Sequence, residues 1–214
     1  MNLQKLTEEN YYKFCHLEGN NYIASEFALY QILKIIENFD INSVLEIGLG
    51  IGSISDTVLK KQKAVGKSIR YVGTEANEFC KNVLPKNVEF YSEVEQYENL
   101  SGLRGEPKFD LIIIDGQDAT LPNIVSFCKD RTIIFIEGDR TPQAELILSI
   151  FPRAKLVQLI TTQKNRTYSP GNPSFFVGGG RLIFTSPNSK MKIYWFKEKV
   201  SSYLKRYYRY YIKS

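Results

Sequence analysis

Apolar residues in this chain form seven short runs, and most of the segments between them carry apolar residues at helical spacing. Such alternation predicts an α/β domain built on a doubly wound, mostly parallel sheet with helices on both faces. We predict strands at 44–47, 69–74, 87–91, 109–114, 132–136, 155–160 and 181–185. We predict helices at 24–38, 53–62, 76–84, 121–129 and 142–151. Together these elements form one seven-stranded, Rossmann-like domain over residues 1–189.

The pattern changes after residue 189, where we predict a basic, aromatic and amphipathic helix over 190–214. Its apolar residues recur at three- and four-residue steps and so form one stripe: Ile193, Phe196, Val200, Leu204, Tyr207 and Tyr211. The segment carries a net charge of +7, since one acid, Glu198, stands against eight bases: Lys190, Lys192, Lys197, Lys199, Lys205, Arg206, Arg209 and Lys213. Because the whole chain carries +5, the rest of it is close to −2 and the positive charge is local.

Such a helix suits three kinds of surface, and the sequence leaves all three open. An anionic membrane surface would bind the apolar stripe and the bases, each cation near the lipid contributing about 1 kcal/mol. Nucleic acid would bind through its phosphates, with aromatic rings stacked on bases. Alternatively, the helix packs on the body of the protein or on a partner subunit, with its basic face outward.

Length and composition agree with a single core. The chain has 214 residues, of which 43% are hydrophobic, and it lacks the run of about 18 apolar residues that spans a membrane. Residues 1–10 are polar and acidic, unlike a signal peptide, and Cys15, Cys80 and Cys128 lack paired spacing. We therefore expect buried thiols and a cytoplasmic protein, located at the inner face of the membrane if the C-terminal helix binds lipid.

A glycine-rich turn follows the first predicted strand. Gly48, Gly50 and Gly52 stand at alternate positions, and Glu46 precedes the first of them by two residues. Glycine tolerates positive φ and lets a ligand approach the backbone closely, while the amides that open the next helix favour an anionic group. The turn therefore predicts a cofactor site, although a plain strand-to-helix turn would also use small residues. A dinucleotide fingerprint would need its third glycine where Ser53 stands.

The pattern E-x-G-x-G-x-G resembles the first motif of class I S-adenosyl-L-methionine-dependent methyltransferases of the small bacterial type. The resemblance covers about residues 25–186 and implies that the three glycines lie against the amino-acid part of the cofactor, which Glu46 helps to hold. Glu75 follows the second strand, where a carboxylate can accept both ribose hydroxyls in this family and in dinucleotide enzymes alike. The alternative for Glu75 is a helix N-cap ahead of 76–84. The resemblance also allows the seventh strand to run antiparallel beside the sixth.

Acidic residues follow the fourth and fifth strands, at the edge where such sheets bind ligands. The resemblance places Asp115 among the cofactor contacts and implies two catalytic options. Asp115 and Asp139 could hold Mg²⁺, which prefers oxygen ligands, with Glu137 close by. Alternatively, Asp115 acts as a general base on a substrate hydroxyl. The structural alternative is a turn at Asp115 and a surface ion pair between Asp139 and Arg140.

One departure from the family weakens the transfer of a catalytic role. Bacterial relatives often read Asp-Gly-x-His after the fourth strand, and this chain has Asp118 at the histidine's position. The only histidine, His16, lies in residues 1–23, which could fold over the cofactor as a lid, so His16 is a second and weaker catalytic candidate. The connection at 169–180 is rich in proline and glycine and is either a mobile substrate-facing loop or an ordinary long connection.

The sequence therefore predicts a methyltransferase that acts on a hydroxyl of a small molecule, a glycan or a lipid-linked precursor. An Asn/Asp-Pro-Pro-aromatic motif after the fourth strand would indicate a nucleic-acid amino-methyltransferase, and residues 114–117 lack it. Two further alternatives are a non-catalytic cofactor-fold module that docks on a membrane complex and an NAD-dependent oxidoreductase. Neither the acceptor nor the oligomeric state can be read from these residues.

Overall fold

The computed structural model describes residues 2–103, 105 and 107–211, so Lys213 of the predicted C-terminal helix lies outside the described residues. The strands are β1 Ser43–Ile47, β2 Arg70–Thr74, β3 Val94–Tyr97, β4 Phe109–Ile114, β5 Cys128–Glu137, β6 Lys155–Leu159 and β7 Gly180–Phe184. The helices are α1 Leu3–Cys15, α2 Glu26–Phe39, α3 Ser53–Ala64, α4 Glu78–Asn87, α5 Thr141–Ile150 and α6 Ser189–Tyr211. Short 3-10 helices cover Tyr91–Glu93, Leu100–Gly102 and Leu121–Phe127.

The strands form one sheet in the order β3-β2-β1-β4-β5-β7-β6. All neighbours are parallel except that β7 runs antiparallel to both β5 and β6. This sheet confirms the predicted doubly wound, mostly parallel, seven-stranded fold. The strand order reverses between β1 and β4, and parallel sheets bind ligands beyond the carboxyl ends of strands at such a reversal.

Helices cover both faces of the sheet. On one face, α1, α2, α3 and α6 pack on strand residues such as Val44, Leu111 and Phe135. On the other face, α5 and the 121–127 segment pack on the alternate strand residues, among them Leu45 and Ile112. The central strands are apolar along their whole length because both of their faces are buried.

Two predicted elements are wrong. No strand forms at 87–91, because Asn87 ends α4 and Val88 turns into the core below that helix; β3 begins only at Val94. β3 is an edge strand whose residues are only half-buried, so its sequence lacks a clear apolar run. The predicted helix at 121–129 is a 3-10 helix that ends at Phe127, and β5 begins at Cys128. The other predicted elements are present, with ends that differ by a few residues.

The N-terminal helix belongs to the core over most of its length. Tyr11, Phe14 and Cys15 of α1 are buried, and Asn10 donates a hydrogen bond to Thr57 of α3 at 2.6 Å. Lys13 also forms an ion pair with the buried carboxylate of Asp56 at 2.9 Å. The predicted lid over residues 1–23 is therefore anchored along its helix, and its last residues alone reach the cleft described below.

The C-terminal helix α6 is the longest helix among the described residues and lies along the edge strand β6. Trp195 donates from Nε1 to the carbonyl of Leu156 at 2.8 Å, and Arg209 donates to the carbonyl of Thr161 at 2.6 Å. Within the described residues, no helix is both long enough and apolar enough to cross a membrane. The described cysteines are free thiols, with Cys15 and Cys80 buried and Cys128 half-buried.

Candidate functional site

The register of the sheet brings four sequence-distant residues into one row. Ile47 of β1 lies opposite Thr74 of β2 and Ile114 of β4, and Ile114 lies opposite Ile136 of β5. The residues that follow these positions are Gly48, Glu75, Asp115 and, at the last position of β5, Glu137. Three of the predicted site residues and Glu137 therefore meet at the carboxyl edge of the sheet.

A cleft of about 600 Å³ opens at this edge. Its volume lies within the range of small-molecule and cofactor sites. Its lining combines backbone from the glycine turn with acidic side chains and one arginine, and it includes Tyr22, Gly48, Gly50, Glu75, Glu98, Asp115, Asp118, Glu137 and Arg140. Five carboxylates against one guanidinium make the lining acidic and suited to a ligand with positive charge.

The glycine turn presents bare backbone to the cleft, and neighbouring protein backbone leaves no room for side chains at two of its positions. Gly48 has φ 91°, and a Cβ there would lie 2.6 Å from Cα of Gly116. The amides of Asp115 and Gly116 both donate to the carbonyl of Ile47, at 2.9 and 2.7 Å, which holds the ends of β1 and β4 together. Gly50 has φ 53°, and a Cβ there would lie 2.3 Å from the carbonyl oxygen of Tyr22. These two positions therefore require glycine even before any ligand binds.

Gly52 has a different role from the other two glycines. It is the N-cap of α3 with φ 99°, and a Cβ there would meet the side chains of Val88 and Leu84. It does not border the cleft. The structure thus explains the third glycine by the packing of α3 against the α4 region, and its predicted contact with a cofactor stays a prediction.

Glu75 enters the cleft with its carboxylate held by backbone amides. Oε2 accepts from the amide of Gly50 at 2.7 Å, and Oε1 accepts from the amide of Asn77 at 2.8 Å. The N-cap of α4 is Asn77, whose side chain accepts from the amide of Cys80, so Glu75 is not the helix cap. Each carboxylate oxygen retains a further lone pair for a ligand hydroxyl.

Glu46 lies beneath the glycine turn and does not border the cleft. Its side chain is only 1% exposed; Oε2 accepts a short hydrogen bond from the hydroxyl of Tyr71, and Oε1 has no hydrogen-bond partner in the described structure. Burial raises the pKa of Glu46 well above its ordinary value. The predicted cofactor role of Glu46 therefore stays a prediction, and the structure shows a buried acid bonded to β2.

Asp115 and Glu137 form an acidic pair that one arginine holds in place. Arg140 donates to the Asp115 carbonyl at 2.5 Å and to its carboxylate at 3.2 Å, and also to the Glu137 carbonyl at 3.1 Å. Glu137 accepts from the hydroxyl of Ser25 at 3.0 Å. Burial and the nearby Glu137 charge raise the pKa of Asp115 well above its ordinary value, against the opposing effect of Arg140. Burial also raises the pKa of Glu137, while its bonds to Ser25 act in the opposite direction.

The predicted Mg²⁺ site of Asp115 and Asp139 does not fit these residues. Asp139 is 80% exposed, pairs with Arg181 and does not border the cleft, while Arg140 already places a cation on Asp115. Among the residues that the structure describes, no three His, Cys, Asp or Glu side chains are grouped as metal ligands. Arg140 pairs with Asp115, and Arg181 pairs with Asp139, so the alternative prediction of a surface ion pair between Asp139 and Arg140 is wrong.

His16 lies at the end of α1, away from the cleft lining. Its Nδ1 donates to the Tyr12 carbonyl at 2.8 Å, and its ring lies against the Tyr12 ring at a centroid distance of 4.3 Å. The loop between β6 and β7 is also absent from the lining, since Arg166 ties it to Glu26 and Glu8 at 2.9 and 2.6 Å. Neither the weaker catalytic candidate nor the predicted substrate-facing loop therefore borders the described cleft.

Sequence reasoning missed several residues of the cleft. Tyr22 comes from the turn between α1 and α2, which carries no recognisable motif, and Glu98 follows the undetected strand β3. Asp118 is predicted at this edge only as a departure from the family pattern; its carboxylate organises the rim, because it accepts from the amides of Leu100 and Thr120 at 2.9 and 2.7 Å. The Asp-x-Thr spacing could have indicated this local turn. The partner of Arg140 could not be read from the sequence.

Comparisons with known proteins identify the fold. No protein-family model matches the sequence, and no curated protein matches it. The structure is similar to the O-methyltransferase TomG from Streptomyces achromogenes, solved with S-adenosylmethionine (TM-score 0.59, 12% identity, 86% of this chain and 90% of that one). It is also similar to an O-methyltransferase from Bacillus cereus solved with S-adenosylhomocysteine (TM-score 0.53, 17% identity, 85% and 89%).

A third similar structure is the C-terminal domain of precorrin-6Y C5,15-methyltransferase from Rhodobacter capsulatus (TM-score 0.54, 14% identity, 76% of this chain and 89% of that one). The predicted resemblance to class I S-adenosylmethionine-dependent methyltransferases is thus confirmed at the level of the fold. Because these relatives are named for methylation at different atoms, the shared fold does not specify an acceptor.

Proposed function

We propose that this protein is an S-adenosylmethionine-dependent methyltransferase that methylates a hydroxyl of a small molecule, a glycan or a lipid-linked acceptor. The observation that carries the proposal is Glu75, which projects into the cleft and accepts a hydrogen bond from the bare backbone of Gly50 at the switch point of a methyltransferase fold. The lack of a third glycine at Ser53 argues against an NAD enzyme. The acidic lining agrees with a cofactor that carries a sulfonium and an ammonium group.

The residues present fit this cofactor without a metal. Glu75 would accept the two ribose hydroxyls through the lone pairs that Gly50 and Asn77 leave open. Gly48 and Gly50 line the cleft without side chains, so the amino-acid part of the cofactor would lie directly against their backbone. When bound, S-adenosylmethionine supplies an electrophilic methyl group and keeps the electron pair of the broken S–C bond.

Asp115 is the residue to which we assign proton removal. It lines the cleft, and burial together with the Glu137 charge raises its pKa, which makes its carboxylate a stronger base. Arg140 fixes the carboxylate by bonding both the Asp115 backbone and its side chain. Asp115 would take the hydroxyl proton as the acceptor oxygen attacks the methyl carbon, a contribution of about 10²–10⁴ in rate.

A two-stage experiment tests the proposal. Thermal unfolding should shift upward with S-adenosylhomocysteine more than with NAD, and a labelled methyl group should then pass to a member of a panel of hydroxyl acceptors. Asp115→Asn keeps one oxygen for the predicted cofactor contact, so it should retain S-adenosylhomocysteine binding and lose turnover, whereas the matched variant Asp139→Asn should keep both. A larger shift with NAD would contradict the cofactor assignment. Full activity of Asp115→Asn would contradict the assignment of the base, and activity that requires Asp139 and Mg²⁺ would restore the metal model.

A further inference from the structure

One side of α6 holds the helix against the body of the protein along its length. Met191 and Ser202 are buried, and Trp195 and Arg209 donate to carbonyls beside β6. Glu198 points the same way and pairs with Lys34 of α2 at 3.3 Å. With a rotation of 100° per residue, these five positions fall on one side of the helix. That side is therefore the packed face.

The apolar stripe lies on the opposite side and faces solvent. The six stripe residues are between 43% and 63% exposed, and they are Ile193, Phe196, Val200, Leu204, Tyr207 and Tyr211. The helix thus packs on the body of the protein, as the third alternative has it, but its apolar stripe faces outward as well. A contiguous exposed stripe on a helix of 23 residues, about 35 Å long, indicates an interaction surface.

Lysines border the stripe on both sides. By helical rotation, Lys192 and Lys199 flank one border, and Lys190 and Lys197 flank the other; all four are exposed. The single acid of the helix, Glu198, belongs to the packed face and so does not reduce this charge. An apolar centre between rows of lysines is the arrangement of helices that lie in a bilayer interface.

We propose that the outer face of α6, defined by the six stripe residues and the four flanking lysines, binds an anionic lipid bilayer surface. The stripe enters the boundary between headgroups and acyl chains, and the lysines extend to lipid phosphates. A second copy of this face would bring lysines against lysines with no acid between them. Single-stranded nucleic acid could stack on the exposed rings of the stripe but would leave its aliphatic residues Ile193, Val200 and Leu204 in solvent, whereas a bilayer covers the whole stripe.

Vesicle sedimentation with the full-length chain tests the proposal. The protein should sediment with vesicles of phosphatidylcholine and phosphatidylglycerol, and salt should weaken this binding. It should not sediment with phosphatidylcholine alone. The triple variant Lys192→Gln, Lys197→Gln and Lys199→Gln should bind more weakly by about fivefold per lysine. The matched control Lys5→Gln, Lys67→Gln and Lys86→Gln removes equal charge from exposed positions elsewhere and should bind like the parent.

A stripe variant and a fluorescence probe separate the outer face from the packed face. Phe196→Ser with Leu204→Ser should abolish sedimentation, while Val125→Ser, an exposed apolar residue on another surface, should not. Trp195 is the only tryptophan and belongs to the packed face, so its emission should not change with vesicles. The exchange Trp195→Phe with Phe196→Trp moves the probe outward, and its emission should shift to shorter wavelength on anionic vesicles.

Several outcomes would overturn the proposal. Equal binding to both kinds of vesicle would show that anionic lipid is not required. Equal loss of binding in the matched lysine control would show that these particular lysines are not required. Either result contradicts the proposal. A monomer–dimer equilibrium that Phe196→Ser abolishes, without vesicle binding, would assign the stripe to a second copy. If the protein binds single-stranded nucleic acid with a steep salt dependence and does not bind vesicles, the lysines bind nucleic-acid phosphates and the proposal is wrong.

Discussion

Glu75 offers the sharpest test of the cofactor site, because its carboxylate contacts can be assigned one by one. Each of its oxygens accepts one backbone amide and leaves capacity for one ribose hydroxyl. A hydrogen bond to a charged group contributes about 1.5–3 kcal/mol, so loss of two such bonds costs about 3–6 kcal/mol. Glu75→Ala should therefore weaken S-adenosylhomocysteine binding by about 10²–10⁴-fold. Glu75→Gln, which keeps one acceptor oxygen, should show a smaller loss.

The same substitution has a separate effect on stability. Glu75→Ala leaves the amides of Gly50 and Asn77 to bond with water, and both lie at a solvent-accessible edge, so the expected loss is about 1–2 kcal/mol. For a chain of this size such a loss lowers Tm by about 2–8 °C. Glu78→Ala is the matched control, since this carboxylate lies three residues away, is 79% exposed and does not border the cleft.

Isothermal titration with S-adenosylhomocysteine measures the affinity, and thermal unfolding without ligand measures the stability. The affinity should fall in Glu75→Ala and stay unchanged in Glu78→Ala, at temperatures where both variants remain folded. An unchanged affinity in Glu75→Ala would refute the assignment of Glu75 to the ribose. A loss of affinity accompanied by loss of the fold in circular dichroism would instead make Glu75 a structural residue of the glycine turn.

Three further predictions follow from buried or packed groups. Burial raises the pKa of Glu46 in the native state, whereas the unfolded chain loses this proton near the ordinary pKa of 4.5. Between these two pKa values the native state holds one more proton than the unfolded chain. Raising the pH through this window should therefore lower the unfolding free energy by about 1.4 kcal/mol per pH unit. Glu46→Gln should remove this slope in denaturant titrations. Glu137→Gln removes a negative charge that raises the Asp115 pKa, so the acidic limb of the rate profile should move to lower pH; an unmoved limb would contradict their coupling. Trp195→Ala should lower Tm because it removes a half-buried ring and its bond to Leu156, at a cost of about 2 kcal/mol; an unchanged Tm would show that α6 is not fixed to β6.

Much of the fold could be predicted because its signals are local. The strands that lie in the middle of the sheet are apolar on both faces, and the runs at 44–47 and 109–114 mark them clearly. The missed strand β3 lies at the edge, where half-buried residues do not form an apolar run. Val88 and Phe90 have the alternating apolar pattern of a strand, but they are apolar for other reasons. Val88 is buried in the core beside α4, and the Phe90 ring packs against that core and under Lys63.

The candidate site could be predicted in part for a related reason. In a doubly wound sheet, residues directly after parallel strands must meet at one edge, so Glu75 and Asp115 could be placed together from strand positions alone. The partners of these residues depend on side chains that are distant in the sequence. Arg140 binds Asp115 rather than Asp139, and Glu46 turns toward Tyr71 rather than the cleft. Spacing cannot encode such choices, since several acids lie within reach of the same loop.

By itself, the sequence determined the α/β class, the glycine turn and the acid after β2, because hydrophobic periodicity and backbone conformation are properties of neighbouring residues. It also determined that the C-terminal segment is a basic amphipathic helix with one apolar stripe. Only the tertiary structure decided the orientation of that helix. Trp195, Glu198 and Arg209 find partners on the body, and this leaves the stripe in solvent. A helical pattern specifies which residues share a face, whereas the contacts available on the rest of the fold determine which face is buried.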